Sequence, residues 1–253
     1  MVQKVVIRDN TKSPVHYLPE LKAFKNGKEY EFKPGVNIIV GKNGCGKTTL
    51  MKLIESYLIV DKQECDLGMF NSTLNRLWGI DKNLPDGIDV FADYELNTFR
   101  LCHANEKHNN DVLSNINAFS EYYTQQHSST GEGVVVALSA MFKRMFSENA
   151  KLKFNYDKIG EQREDYGAYI KQHKVAGDEW TILMDEPDRN LDIENIGRIK
   201  GVLSFHKPQT QIICVVHNPL LIYVLSKNPE VNVIEMTKGY VNNIIKEINQ
   251  ILK

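Results

Sequence analysis

Eight residues, Gly41-Lys42-Asn43-Gly44-Cys45-Gly46-Lys47-Thr48, constrain this chain more than any others. They read G-x-x-x-x-G-K-[ST], a loop that cradles phosphate. Residues 36–40 (V-N-I-I-V) just before it are short, apolar and β-branched, which predicts a buried strand. Residues 49–58 just after it carry Leu50, Leu53, Ile54 and Leu58 at helical spacing. Strand, glycine-rich loop and helix is the order that phosphate binding requires. Glycines let backbone N–H groups turn inward, and a helix N-terminus adds partial positive charge. In such a loop Lys47 faces the β- and γ-phosphates of a nucleotide, and the Thr48 hydroxyl is placed to ligate Mg²⁺.

The chain has 253 residues, enough for one large domain or a domain with an inserted lobe. With 42% hydrophobic and 25% charged residues it can bury a sizeable core. A formal net charge of −1 gives no global basic signal for nucleic acid. Two lysine-rich stretches, residues 22–33 and 143–158, read first as solvated faces and leave a nucleic-acid contact open. The cysteines Cys45, Cys65, Cys102 and Cys214 are scattered with no C-x-x-C, which argues against a zinc site and fits a reducing, cytoplasmic setting. No apolar run reaches the roughly 18 residues of a membrane span, and residues 1–10 do not read as a signal peptide.

Taken in order, residues 2–7 predict a first strand. An Asn26-Gly27 turn between strand-like flanks predicts a hairpin, so the part before the loop is expected to be antiparallel β. Residues 84–87 mark a turn, and residues 88–101 read as strand material arranged as a hairpin. Residues 112–123 and 134–146 read as helices, with Ser128-Ser129-Thr130-Gly131-Glu132-Gly133 before the second. Taken alone, those small residues are ordinary helix caps. Residues 151–177 are polar and charged, an exposed insertion. Residues 193–205, 219–225 and 242–252 read as helices. Residues 231–236 and 239–241 read as a closing hairpin.

Chemistry concentrates at two strand ends. Residues 180–184 (W-T-I-L-M) form a buried strand that runs into Asp185-Glu186-Pro187. Acids at the carboxyl end of an apolar strand stand where α/β folds place ligands. Asp185 is suited to Mg²⁺ and Glu186 to orienting or deprotonating an attacking water. Residues 211–216 (Q-I-I-C-V-V) form a third buried strand ending at His217, where a γ-phosphate sensor would fall.

This order of pieces resembles the ATP-binding cassette (ABC) ATPases. Residues 41–48 look like their Walker A, residues 128–132 like the signature loop, and residues 182–186 like Walker B with its catalytic Glu. Leu191-Asp192 looks like the end of the D-loop and His217 like the switch His. The signature is S-S-T-G-E rather than L-S-G-G-Q. It keeps Ser129 and Gly131, and Glu132 is more like the recombination and chromosome-structure branch. No stretch between residues 61 and 127 sustains the heptads of a long coiled coil, which gives the chain the look of a compact cassette similar to those of repair and phage-defence systems. The Q-loop is unplaced, Gln63 being the nearest glutamine, and Tyr17 and Phe24 are the candidates for stacking on adenine.

The resemblance implies an α/β P-loop NTPase of ABC type. Its mixed central sheet would carry an N-terminal antiparallel β part and, within residues 61–177, a helical lobe, all in one domain of residues 1–253. It implies ATP and Mg²⁺ as ligands. Nucleotide contacts would come from Gly41, Asn43, Gly44, Cys45, Gly46, Lys47, Thr48, Thr49 and Asp192, with Ser129 and Gly131 acting across a head-to-tail homodimer. Thr48 and Asp185 would hold the metal; Glu186, His217 and Lys47 would be catalytic. A separate partner protein would be driven or gated. A non-hydrolysing nucleotide sensor and a transporter's ATPase subunit are the alternatives. Cys45, inside the loop, reads equally as a reactive thiol beside the nucleotide or as an inert small hydrophobe.

Overall fold

The computed structural model describes residues 1–12, 17–60, 87–92, 98–101, 180–189, 191–204 and 210–251. The expected helices at 112–123 and 134–146, the insertion at 151–177, the signature loop, Gln63, Cys65 and Cys102 lie outside the described residues.

Eight strands form two sheets among these residues. β1 (Val2–Ile7), β2 (Lys28–Glu31) and β4 (Ile88–Ala92) make a three-stranded antiparallel sheet in the order β2-β1-β4. The other sheet is five-stranded and parallel. It takes β3 (Gly35–Val40), β5 (Thr98–Leu101), β6 (Trp180–Asp185), β7 (Thr210–Val215) and β8 (Asn232–Glu235) in the order β5-β6-β7-β3-β8. Four α-helices accompany them: α1 (Lys47–Val60), α2 (Ile193–Ser204), α3 (Pro219–Ser226) and α4 (Tyr240–Ile251).

Every residue of β3 is buried, because the strand is flanked by β7 and β8 and covered on both faces. Strand side chains alternate between faces, so β3 feeds two cores. Val36, Ile38 and Val40 join Ile182, Met184, Ile212 and Cys214 under α2, α3 and α4. Ile39 joins Leu183, Ile213 and Val215, and this second face receives α1 through Leu50, Met51, Leu53 and Ile54 and the antiparallel sheet through Val5 and Ile7. This double coverage explains why the strand sequences read as continuous apolar runs rather than alternating ones. The exception is Asn37, fully buried in the middle of β3. Its amide donates to the carbonyls of Lys33, Gly35 and Ile212 at 2.7, 3.2 and 3.2 Å, and its Oδ1 accepts from Lys33 N at 2.8 Å.

Three expectations are corrected. Residues 88–101 are not a hairpin: β4 pairs antiparallel with β1, while β5 pairs parallel with β6. Both stretches have strand composition, but the edges they complete belong to different sheets. The closing hairpin is also absent. β8 lies parallel to β3, and the turn at Gly239 leads straight into α4. The Glu235 carboxylate decides this, because it accepts from Gly239 N at 2.9 Å and Val241 N at 2.7 Å and so caps the helix start. Finally, the stretch before Asn26-Gly27 is a 3₁₀ turn, Lys22–Phe24, and β2 returns to pair with β1.

Gln211 locks the two sheets together. It is fully buried at the start of β7. Its Oε1 accepts from Val2 N at 2.8 Å, and its Nε2 donates to Val2 O at 2.7 Å and Lys33 O at 3.1 Å. Gln211→Leu keeps the volume but strands these backbone groups away from water, with an expected cost of about 3 kcal/mol. Urea denaturation of the variant and the parent measures it; a change under half that size would show that the clamp is dispensable.

Candidate functional site

The loop that leaves β3 is shaped by what crowds it. A Cβ at Gly46 would stand 2.6 Å from Cε2 of Phe24, and the φ of +101° there is one that side chains rarely adopt. A Cβ at Gly41 would stand 2.7 Å from the Cys45 Sγ and 3.1 Å from Thr237 Oγ1. Phe24 is fully buried beneath the loop. Its ring is a floor, so it is not placed to stack on adenine, which corrects that expectation; Tyr17 stays partly exposed. The Cys45 thiol is folded inward against Gly41 and packs beside the second core.

Lys47 opens α1 and is only 4% exposed. Its ammonium donates to Gly41 O at 2.9 Å and Lys42 O at 3.1 Å, which holds the charge at the centre of the loop. Thr237, from the turn after β8, accepts the Lys42 N–H at 3.2 Å and braces the loop from outside. Asn43 and Gly44 are exposed at its crest, and Thr49 is half-buried in the first turn of α1.

The parallel sheet brings the other strand ends to this loop. β7 stands between β3 and β6, so Asp185 at the end of β6 lies across from the start of α1. Thr48 Oγ1 donates to Asp185 Oδ1 at 3.3 Å. No cluster of three or more His, Cys, Asp and Glu is present among the described residues. A hydroxyl and one carboxylate are hard oxygen donors that fit Mg²⁺, which completes its shell with water and phosphate oxygens rather than with an all-protein cage.

Glu186, next in the chain, has a φ of +55°, unusual for a residue with a side chain. Its carboxylate touches two neighbours. Oε2 accepts from Arg189 Nη1 at 3.3 Å, and Oε1 lies 3.0 Å from Nε2 of His217, off the line that a hydrogen bond needs. Burial holds the His217 imidazole below its ordinary pKa and the Lys47 charge adds to this, while the carboxylates of Glu186 and Asp188 pull the other way. Asp192 serves α2 directly, since its Oδ1 accepts from Asn195 N at 2.8 Å.

The structure therefore gathers Gly41, Gly46, Lys47, Thr48, Asp185, Glu186 and His217 at one end of the parallel sheet. Ser129 and Gly131 lie outside the described residues. Sequence reasoning missed Asp188, Arg189 and Thr237. Asp188 and Arg189 follow Pro187 directly, so their nearness to Glu186 was legible, but Thr237 reaches the loop only through the pairing of β8 with β3.

A phosphate-type loop on a fully buried parallel strand, faced by Asp185 of β6 and by Glu186 just after it, defines a P-loop nucleoside triphosphatase fold. The AAA domain family matches residues 20–190, more than half of the sequence, and the chain belongs to that family. Over 100 residues the chain is 30% identical to endonuclease GajA of Bacillus cereus (strain HuB5-5); the match takes in 38% of this chain and 15% of that protein. Among solved structures, the SMC head domain from Thermotoga maritima is similar, with 14% identity and a TM-score of 0.46 over 87% of this chain and 90% of that one. So is a nucleotide-free ATP-binding cassette from an ABC transporter, with 14% identity and a TM-score of 0.44 over 100% and 99% of the two chains. No helix among the described residues is long and apolar enough to cross a membrane.

Gly46→Ala forces a methyl group against the Phe24 ring at a left-handed backbone. It should lower stability by about 1–3 kcal/mol, read as a shift in the urea midpoint, and weaken nucleotide binding. Wild-type stability in this variant would show that the ring is not a rigid floor.

Proposed function

We propose that the chain is a Mg²⁺-dependent ATPase of ABC type that closes on ATP as a head-to-tail homodimer and drives or gates a separate partner acting on nucleic acid, in repair or phage defence. One observation carries the reading: Lys47, Thr48, Asp185, Glu186 and His217 converge at one mouth although the sequence scatters them over three strand ends. Mg²⁺, when bound, screens the phosphate charges and orients their oxygens. Lys47 binds the β- and γ-phosphates, and Thr48 with Asp185 holds the cation. Glu186 takes a proton from the attacking water at a carboxylate oxygen. His217 contacts the γ-phosphate. Asn43, Gly44, Cys45, Thr49 and Asp192 line the nucleotide path with the loop glycines, and Ser129 and Gly131 act toward the opposite copy. The partner's link to nucleic acid is supported by the endonuclease named above.

A second reading, a nucleotide sensor with negligible turnover, is favoured by the Arg189–Glu186 pair, which occupies the base. Steady-state phosphate release separates the two.

Removing the Lys47 cation should abolish ATP binding. In calorimetry with Mg²⁺, Lys47→Ala is expected to give no heat of binding, and an unchanged affinity would refute the loop's role.

Glu186→Gln keeps shape and loses the base. The variant should bind ATP, release phosphate at least about a hundredfold more slowly, and accumulate as an ATP-bound dimer of doubled mass in light scattering. A monomer at saturating ATP would overturn the head-to-tail dimer.

A further inference from the structure

Asp188 has no part in the scheme above, yet it is among the most confined charged groups described. It is 3% exposed. Its Oδ2 accepts two backbone N–H groups, from His217 at 2.7 Å and Asn218 at 2.5 Å. Its Oδ1 is buried with no hydrogen-bond partner among the described residues. Burial pushes the carboxyl pKa up, and the Asn218 and His217 amides, its own backbone N–H and the His217 ring oppose that shift. A buried carboxylate with one oxygen unsatisfied costs stability; the arrangement calls for a compensating role.

The geometry supplies one. Asp188 lies in the turn after β6, which Arg189 N closes by donating to Glu186 O at 3.2 Å. His217 and Asn218 form the turn after β7. A single oxygen therefore ties the turn that carries Glu186 to the turn that carries His217. On the far side, Asn218 Oδ1 accepts from Leu220 N at 2.9 Å and Leu221 N at 3.2 Å, which anchors the same turn to α3. With its backbone held from both sides, His217 reaches the Glu186 carboxylate.

We propose that Asp188 is a positioning residue that fixes the His217 backbone, and with it the imidazole, against Glu186 and the nucleotide. This rests on the hydrolytic reading above. The acceptor geometry of one oxygen does the work. Asparagine, which offers one carbonyl oxygen in the same place, should substitute.

The test uses the full chain with Mg²⁺ and ATP. Phosphate release, calorimetric ATP affinity and amide exchange by mass spectrometry are measured for Asp188→Ala, Asp188→Asn, His217→Ala and the Asp188→Ala/His217→Ala pair. Asp188→Ala and His217→Ala should each lower kcat about a hundredfold and lower ATP affinity by far less, to the same extent in both. The double variant should lose no more than either single, because one residue acts through the other. Asp188→Asn should retain most of the rate. The His217 and Asn218 amides should exchange faster in Asp188→Ala while β3 and β7 stay protected. Losses that multiply in the double variant would overturn the proposal, as would unchanged exchange at His217 or an Asp188→Asn as impaired as Asp188→Ala. If Asp188→Ala does not fold, Asp188→Ser, which is too short to reach both amides, takes its place with the same expectations. A wild-type chain that releases no phosphate would refute the hydrolytic reading, and the exchange at His217 and Asn218 would then decide by itself whether Asp188 holds the turn.

Discussion

The rest of the structure depends on the contact between Gly46 and the ring of Phe24. The loop after β3 lies directly on a buried aromatic, with no space for a single methyl group at its closest point. Because the floor is a ring inside the second core, the loop inherits the rigidity of that core. Lys47 then draws the Gly41 and Lys42 carbonyls around its ammonium, and Thr237 takes the Lys42 N–H from outside. Packing below, a buried cation within and a hydroxyl behind therefore hold the loop in one shape.

The parallel sheet serves the same end. β3 is buried on both faces and both edges, so its carboxyl end cannot shift without disturbing two cores at once. Gln211 extends this restraint to the antiparallel sheet, since it completes the hydrogen bonds of Val2 at the start of β1. Buried polar groups such as Gln211 and Asn37 specify one register, because a slip of one residue would leave several of their partners unpaired.

Against this rigid frame, the Glu186 region holds the unusual features. Glu186 has a positive φ, contacts both Arg189 and His217, and sits beside a turn pinned by a buried carboxylate with an unsatisfied oxygen. Such features cluster where a structure spends stability on geometry. Burial, with the Lys47 charge, disfavours the protonated form of His217 where the imidazole meets Glu186, and the carboxylates of Glu186 and Asp188 oppose that.

The sequence by itself determined what local chemistry can determine. The apolar runs named β3, β6 and β7. The spacing of Leu50, Leu53 and Ile54 named α1, and G-x-x-x-x-G-K-T with D-E-P named most of the site. These signals need only neighbours in the chain. Tertiary structure alone decided which strand paired with which. Residues 88–101 divided between two sheets, residues 232–235 joined β3 instead of turning back, and Phe24 became a floor rather than a stacking surface. Strand composition states that a segment needs partners but not whose edge is open, and a lone Phe is equally apolar above a loop or beneath it. Asp188, Thr237 and Gln211 likewise act on backbone groups 29, 195 and 209 positions away, and no pattern of nearby residues encodes a contact at that range.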